Sequence, residues 1–207
     1  LALRWAYDTD HEVVVGSRDP EKARAKAEEY ETELDSRGVD RKVTGFANEM
    51  AADRADVVVL AVPPYHVADL VAEVAERLDE DTLVVSPAVG MKKREGGFDY
   101  NPPSAGSVTE LVADTAPDEV PVVGAFQNLA ADRLANLDVE LDLDTLVVGD
   151  DGDAKQNVVD LAEGIEGIRA LDAGPLANAA EVESLTPLLV DLALHNDGLH
   201  DVGVTFE

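Results

Sequence analysis

The stretch Val13-Val14-Val15-Gly16-Ser17-Arg18, followed by Pro20 to Tyr30, constrains this chain more than any other. Three β-branched residues running into a glycine read as a buried strand that ends in a tight turn. A proline opening an Ala/Glu/Lys-rich run reads as the first turn of a helix. Together they make one βα unit. The pattern then recurs along the chain. Val43 to Phe46 reads as a short strand and Asn48 to Arg54 as a short helix. Asp56 to Val62 is a nearly continuous apolar run, the pattern of a parallel strand buried on both faces. Pro63 and Pro64 stop it, and Tyr65 to Leu78 carries a helical stripe of Val67, Leu70, Val71, Val74 and Leu78.

Thr82 to Val85 is a further strand, ending at Ser86-Pro87. Ala88 to Gly106 shows neither helical nor strand periodicity and holds Lys92, Lys93 and Arg94, so it reads as a long loop with a binding role. Ser107 caps a short helix, with Glu110 at capping-box spacing. Val120 to Phe126 is a strand, followed by Gln127-Asn128-Leu129 and a small Ala-rich helix. Beyond a soft boundary between Leu141 and Asp142 come a strand at Thr145 to Gly149 and a helix from Asp153 to about Ile165. A strand at Ile168 to Leu171, the Asp172-Ala173-Gly174-Pro175 turn and a long helix from Asn178 to about His195 complete the pattern.

Alternating strands and helices predict an α/β fold, a doubly wound, mostly parallel, Rossmann-like sheet over residues 1–141, with a small carboxyl-terminal α/β domain at 142–207. Leu1 to Tyr7 reads as the later part of a helix running into the Val13 strand. In a doubly wound sheet such a helix follows a strand and a glycine-rich phosphate turn, and neither is found in this sequence. About 15 residues carrying both are therefore expected ahead of Leu1, the usual length of that unit.

Charge narrows the function. The chain of 207 residues holds 16 Lys and Arg against 44 Asp and Glu, a formal net charge of −28. It cannot assemble the basic stripe that nucleic acid requires, and an anionic membrane surface would repel it. No apolar run reaches membrane-spanning length and no secretory leader pattern opens the chain, so a cytoplasmic location is expected. The acidic surplus is spread along the helices and would self-repel unless heavily screened, which points to a salt-loaded cytoplasm. Cysteine is absent, which removes disulfides, thiolate zinc sites and a cysteine nucleophile. Small-molecule cofactors are the expected partners, in a homo-oligomer, most simply a dimer.

Against that background the cations Arg18, Lys22, Arg24 and Lys26 are informative. In a dinucleotide-binding sheet, an acidic residue at the end of the second strand takes the ribose hydroxyls of NAD, whereas an arginine accommodates the extra phosphate of NADP. Ser17, Arg18 and Lys22 supply a hydroxyl, a planar fork and a point charge for such a phosphate. Arg24 and Lys26 read as a solvated helix face. Ligands of open α/β sheets lie beyond the carboxyl ends of the strands, here Gly16 to Arg18, Ala61 to Pro64, Ser86 to Met91 and Gln127 to Leu129. At the second of these, Ala61, Val62, Pro63 and Pro64 let a ribose and a flat ring approach closely.

No acid or base stands out for catalysis, and no metal-ligand spacing occurs. His66 near a strand end reads as packed or superficial, and His11, His195 and His200 have no partner spacing. Glu181 and Glu183 read as a solvated face of the last helix, and Asp172 as a brace for its turn. No serine sits in a nucleophile elbow. Hydride transfer between two cofactors fits this absence, because the cofactors carry the reactive atoms and the protein stacks and shields them.

Val15-Gly16-Ser17-Arg18 with Lys22, Val62-Pro63, Val84-Val85-Ser86-Pro87, Gly97-Phe98 with Tyr100, Ala125-Phe126-Gln127-Asn128, Leu171 to Asn178 and Glu183-Ser184-Leu185-Thr186-Pro187 closely resemble archaeal NADPH-dependent reductases of coenzyme F420. The resemblance preserves order and spacing over essentially the whole chain. It implies reversible hydride exchange between NADP and the deazaflavin F420, in a cleft between a Rossmann-like domain and a small carboxyl-terminal domain. It also implies that Ser17, Arg18 and Lys22 hold the 2′-phosphate, that Pro64, Ala68 and Met91 line the NADP, and that Gln127, Asn128 and Leu129 lie on the deazaflavin side. Gln127 stands where the family members compared carry histidine; an amide donates a hydrogen bond, and no proton transfer is expected there. Two alternatives share the fold: an imine or keto-acid reductase of the pyrroline-carboxylate type, and a non-catalytic NADP(H)-sensing protein. Against the first, the roughly 65 residues from Asp142 onward are short for the all-helical segment such reductases use.

Overall fold

The computed structural model describes Leu1–Glu207. Helix α1 (Ala2–Asp8) leads into strand β1 (Val13–Ser17), helix α2 (Pro20–Ser36) and strand β2 (Val43–Ala47). The start of α2 is determined locally. Asp19 accepts a hydrogen bond from the Glu21 N–H at 3.1 Å, and Pro20 takes the first helical position. β1 and β2 pair in parallel, Val13 against Val43 through Ser17 against Ala47. The α2 backbone at Ala23 passes so close to Gly45 of β2 that a side chain there would collide with it, which accounts for the glycine.

After α3 (Asn48–Ala52) come β3 (Val57–Val59), α4 (Val67–Val74) and β4 (Leu83–Ser86), and later α5 (Val108–Thr115) and β7 (Val122–Gly124). β3, β4 and β7 form a parallel sheet with β4 in the middle. The alternation along β4 shows both faces covered. Leu83 and Val85 join the core that contains α1, α2 and the carboxyl-terminal elements, while Val84 joins the core beneath α4 and α5. The Ser107 hydroxyl accepts from the Glu110 N–H at 2.9 Å and donates to the Glu110 carboxylate at 2.8 Å, so the expected cap forms.

The remainder is α6 (Ala131–Ala135), β8 (Leu143–Val147), α7 (Gly152–Glu163), β9 (Ile168–Asp172) and α8 (Ala179–His195). β8 and β9 pair in parallel. A single antiparallel bridge, Gly124 with Val148, ties them to β7 through hydrogen bonds of 2.8 and 2.9 Å. The larger core crosses from Phe126 and Leu129 to Val147, Val158 and Ile165 without a break. No helix is long and apolar enough to cross a membrane.

Five expectations need correction. The strand read from Val120 to Phe126 is only Val122–Gly124, with Phe126 already in the turn that follows. The segment read as a loop from Ala88 to Gly106 contains a hairpin, β5 (Met91–Arg94) with β6 (Gly97–Tyr100), turned through Gly96 at φ 80°. Met-Lys-Lys-Arg shows no alternation because all four residues are exposed. The strand read from Asp56 to Val62 is only Val57–Val59 and is half-buried, since β3 has a neighbour on one edge alone. The helix read from Tyr65 to Leu78 is α4 between two 3-10 turns, Pro64–His66 and Ala75–Arg77, with Val67, Val71, Val74 and Leu78 buried as its stripe implied. Glu183, read as solvated, is fully buried.

Between the β1–β2 sheet and the β3–β4–β7 sheet lies a slot of about 560 Å³. Val13 to Gly16 of β1 line one side and Val57 to Val59 of β3 the other. Each of these strands is paired only on the edge facing away from it.

Candidate functional site

The ends of β1, β3, β4 and β7 carry the residues singled out in the sequence. At β1, the Ser17 hydroxyl accepts from the Asp19 N–H at 3.2 Å, which holds it at the mouth of the turn. Arg18 and Lys22 are exposed and enter no ion pair. Their neighbours differ: Arg24 is bound to Glu21, and Lys26 to Glu29 at 2.6 Å. In a chain so rich in carboxylates, two adjacent unpaired cations keep their donors free for an anion.

Past β3 the chain turns tightly, the Ala61 N–H donating to the Val59 carbonyl at 2.9 Å and the Val62 N–H to the Leu60 carbonyl at 2.8 Å, and Pro64 opens the 3-10 turn, closed by the His66 N–H to the Pro63 carbonyl at 2.9 Å. Tyr65 is 77% exposed, its ring 4.5 Å from that of half-buried His66. Ala68 follows on the first turn of α4, and Met91, 38% exposed, starts the hairpin. The structure thus puts Ser17, Arg18 and Lys22 together on one turn, and Ala61 to Pro64 with Ala68 on another.

Past β7 the backbone is strained. Phe126 takes φ 69°, rare for a bulky residue, and is held there by its N–H to the Thr145 hydroxyl at 3.0 Å and by an edge-on contact with Trp5. This turn aims Gln127, Asn128 and Leu129 inward, and all three are buried. The Asn128 amide donates to the Asp144 carbonyl at 2.7 Å and accepts from the Leu146 N–H at 3.4 Å, so its side chain anchors β8. Leu129 belongs to the main core. The Gln127 carbonyl accepts from the Thr186 hydroxyl at 2.7 Å, but its side-chain amide has no partner, and neither has the buried Ser86 hydroxyl. Gln127 and Thr186 line a cavity of about 390 Å³ between this turn, α8 and the segment Leu199 to Val202.

Sequence reasoning missed Glu183. Its carboxylate accepts from the Val108 N–H at 3.0 Å, the Thr109 N–H at 2.9 Å, the Thr109 hydroxyl at 3.0 Å and the Tyr100 hydroxyl at 3.1 Å. It therefore caps α5 from α8 and ties the hairpin to both. Burial pushes its pKa above the ordinary carboxylate value, with the four donors opposing that shift. Burial and the adjacent carboxylate together push the Tyr100 phenol up. The local signal for this clasp is weak, because its partners lie more than 70 residues away. No group of three or more His, Asp or Glu side chains is placed to hold a metal ion.

The family model for coenzyme F420-dependent NADP oxidoreductases matches residues 1–90. The F420-dependent NADP reductase of Methanocaldococcus jannaschii is 36% identical over 197 residues, spanning 93% of this chain and 85% of that protein. This chain belongs to the F420-dependent NADP oxidoreductase family. The Methanothermobacter thermautotrophicus reductase is 37% identical over 199 residues, covering 95% of this chain and 84% of its own. A crystal structure from Arthrobacter sp. FB24, assigned as an F420-dependent NADP reductase, superimposes with a TM-score of 0.73 at 26% identity. It covers 92% of this chain and 87% of that one. Pyrroline-5-carboxylate reductase of Coxiella burnetii, at 20% identity and a TM-score of 0.53, shares the fold, and the match covers only 54% of its length. For an F420-dependent NADP oxidoreductase the residues present are suitable. Arg18 and Lys22 fit a phosphate monoester, and the unpartnered amide of Gln127 and hydroxyl of Ser86 are polar groups whose hydrogen bonds are unmade.

Proposed function

We propose that this protein transfers a hydride reversibly between NADP(H) and the deazaflavin coenzyme F420. The observation that carries the reading within the family is the pair Arg18 and Lys22, left unpaired beside ion-paired Arg24 and Lys26. The nicotinamide supplies or takes the hydride when bound. Ser17, Arg18 and Lys22 hold the 2′-phosphate, and Ala61, Val62, Pro63, Pro64, Ala68 and Met91 line the nucleotide. Gln127, Asn128 and Leu129 form the deazaflavin side, with residues 142–207 closing the cleft. No side chain need move a proton, so their work is to orient two planar rings and exclude water.

Arg18→Ala is expected to weaken NADP binding by about 1.5 to 3 kcal/mol, the loss of a charge-assisted hydrogen bond, and to leave NAD nearly unaffected. Titration of both cofactors checks this; equal weakening would remove Arg18 from the phosphate site.

The slot between β1 and β3 supports a further element of the same reading, a parallel strand that bridges them and brings a phosphate-binding turn to the mouth near Gly16 and Ala61. Such a strand sits about 4.8 Å from each neighbour and satisfies both open edges. A chain extended upstream of Leu1 is then expected to gain NADPH-dependent thermal stabilisation well above that of Leu1–Glu207. Equal stabilisation of both chains would leave the slot without this role. The net charge of −28 supports function in a salt-loaded cytoplasm, where counter-ions screen the self-repulsion of the acidic surface. Assays belong in concentrated potassium chloride.

A further inference from the structure

Phe126 is the outlier of the backbone. Apart from Asp201, no other non-glycine residue has a positive φ, and a phenylalanine there is strained where a glycine would not be. The side chain that makes the strain also holds it. Its buried ring meets the edge of Trp5 at a centroid distance of 5.6 Å and an interplanar angle of 84°. Trp5 is itself fixed on α1, its indole N–H donating to the Leu161 carbonyl of α7 at 2.7 Å. The neighbouring Arg4 donates to the Leu134, Asn136 and Val139 carbonyls at 3.0, 2.6 and 2.9 Å, so α1 grips the segment beyond the turn as well. From β8, the Thr145 hydroxyl accepts from the Phe126 N–H at 3.0 Å and donates to the Asn128 side-chain oxygen at 3.4 Å.

We propose that Trp5 and Phe126 are positioning residues for the second substrate, an inference that rests on the reading of Gln127 to Leu129 as the deazaflavin side. The ring contact locks the turn in its left-handed conformation. That conformation, and not the identity of Gln127 alone, sets where the groups of the turn stand. A strained residue persists only where its surroundings over-determine it, and such residues cluster where geometry is used. A Phe126→Gly exchange keeps the same φ without strain, but it frees the turn to sample others and leaves Trp5 without its partner. α1 also leads directly into β1, whose end carries Ser17 and Arg18. One rigid helix thereby relates the 2′-phosphate side to the deazaflavin side, which is what hydride transfer between two bound rings requires.

The test follows Phe126→Gly, Trp5→Ala and Trp5→Phe in the full chain by two readouts. Hydrogen exchange of the bonded Phe126 and Leu129 amides reads the turn itself, whatever the acceptor. Steady-state kinetics with NADPH and F420 reads its use. In Phe126→Gly and Trp5→Ala, protection of these amides falls and the KM for F420 rises, each about tenfold or more, while protection of β7 and the KM for NADPH hold. Trp5→Phe keeps a ring against Phe126 and loses the bond to Leu161; it unfolds at lower urea than wild type but keeps both KM values. Should Trp5→Ala fail to fold, Phe126→Gly decides. Lower stability with unchanged protection and unchanged KM for F420 would reduce the pair to core packing and overturn the proposal, as would an equal rise in both KM values. A wild type that does not reduce F420 with NADPH would instead defeat the F420 reading, and exchange would still show whether the pair holds the turn.

Discussion

Glu183 at the junction of α8 and α5, and Asp144 on β8, are both withdrawn from water, at 0% and 1% exposure. Their surroundings differ in kind. Asp144 is held by a cation: Arg169 donates to both carboxylate oxygens at 2.7 and 2.6 Å, and the Phe206 N–H adds a third bond at 2.6 Å. Glu183 has no cation and rests on four neutral donors. The consequence appears in their ionisation. The Arg169 guanidinium, through its hydrogen bonds, holds Asp144 below the ordinary aspartate value, whereas burial raises Glu183. The β8–β9 unit is thus closed by a charge pair, and the α5–α8 junction by a helix cap with no cationic partner.

Removing each group tests that difference. Glu183→Ala is expected to cost the most, about 3 to 5 kcal/mol, because two buried backbone donors at the start of α5 and two hydroxyls lose their acceptor at once. Urea unfolding measures it; a loss below about 1 kcal/mol would show that water replaces the carboxylate freely. Asp144→Asn is expected to cost about 1 to 2 kcal/mol, less than a fully buried pair, because Arg169 is half exposed and water takes over part of its solvation.

The pH dependence should separate the two with opposite signs. Asp144 stabilises the fold above the ordinary aspartate pKa, and that contribution disappears as pH falls through its lowered folded value. Glu183 behaves inversely: its contribution is greatest below the ordinary glutamate pKa and is lost as pH rises through the raised folded value. The wild-type minus D144N difference in urea midpoint should therefore grow with pH, and a pair insensitive to pH would contradict it. Tyr100→Phe has the smallest expected effect, about 1 kcal/mol for one donor. It should also move the Glu183 transition further upward, since one bond favouring the charged form is gone.

Much of this arrangement was legible along the chain. The β1–α2 unit, the Ser107 cap with Glu110, the α4 stripe and the distinction between Arg18 and Lys22 and their neighbours Arg24 and Lys26 all rest on residues within a turn or two of each other. Periodicity, capping and turn chemistry act over that range. Asp172 likewise braces its turn as expected, accepting from the Gly174 N–H at 2.8 Å while Lys155 binds it at 2.9 Å. The hairpin was not legible, because an edge strand exposed throughout carries no burial pattern to read.

The sequence by itself determined the alternation of strands and helices, the helix starts and the cationic turn after β1, since each is decided by interactions between near neighbours. Only the tertiary structure decided that Glu183 is buried, that Arg94 is paired while Lys92 and Lys93 stay free, and that β1 and β3 face a common slot. Each of these depends on which distant segment arrives as partner: α8 against α5, Asp191 against Arg94, one sheet beside another. A carboxylate on a helix has the same local sequence whether it meets water or the amino end of another helix, and only packing distinguishes the two.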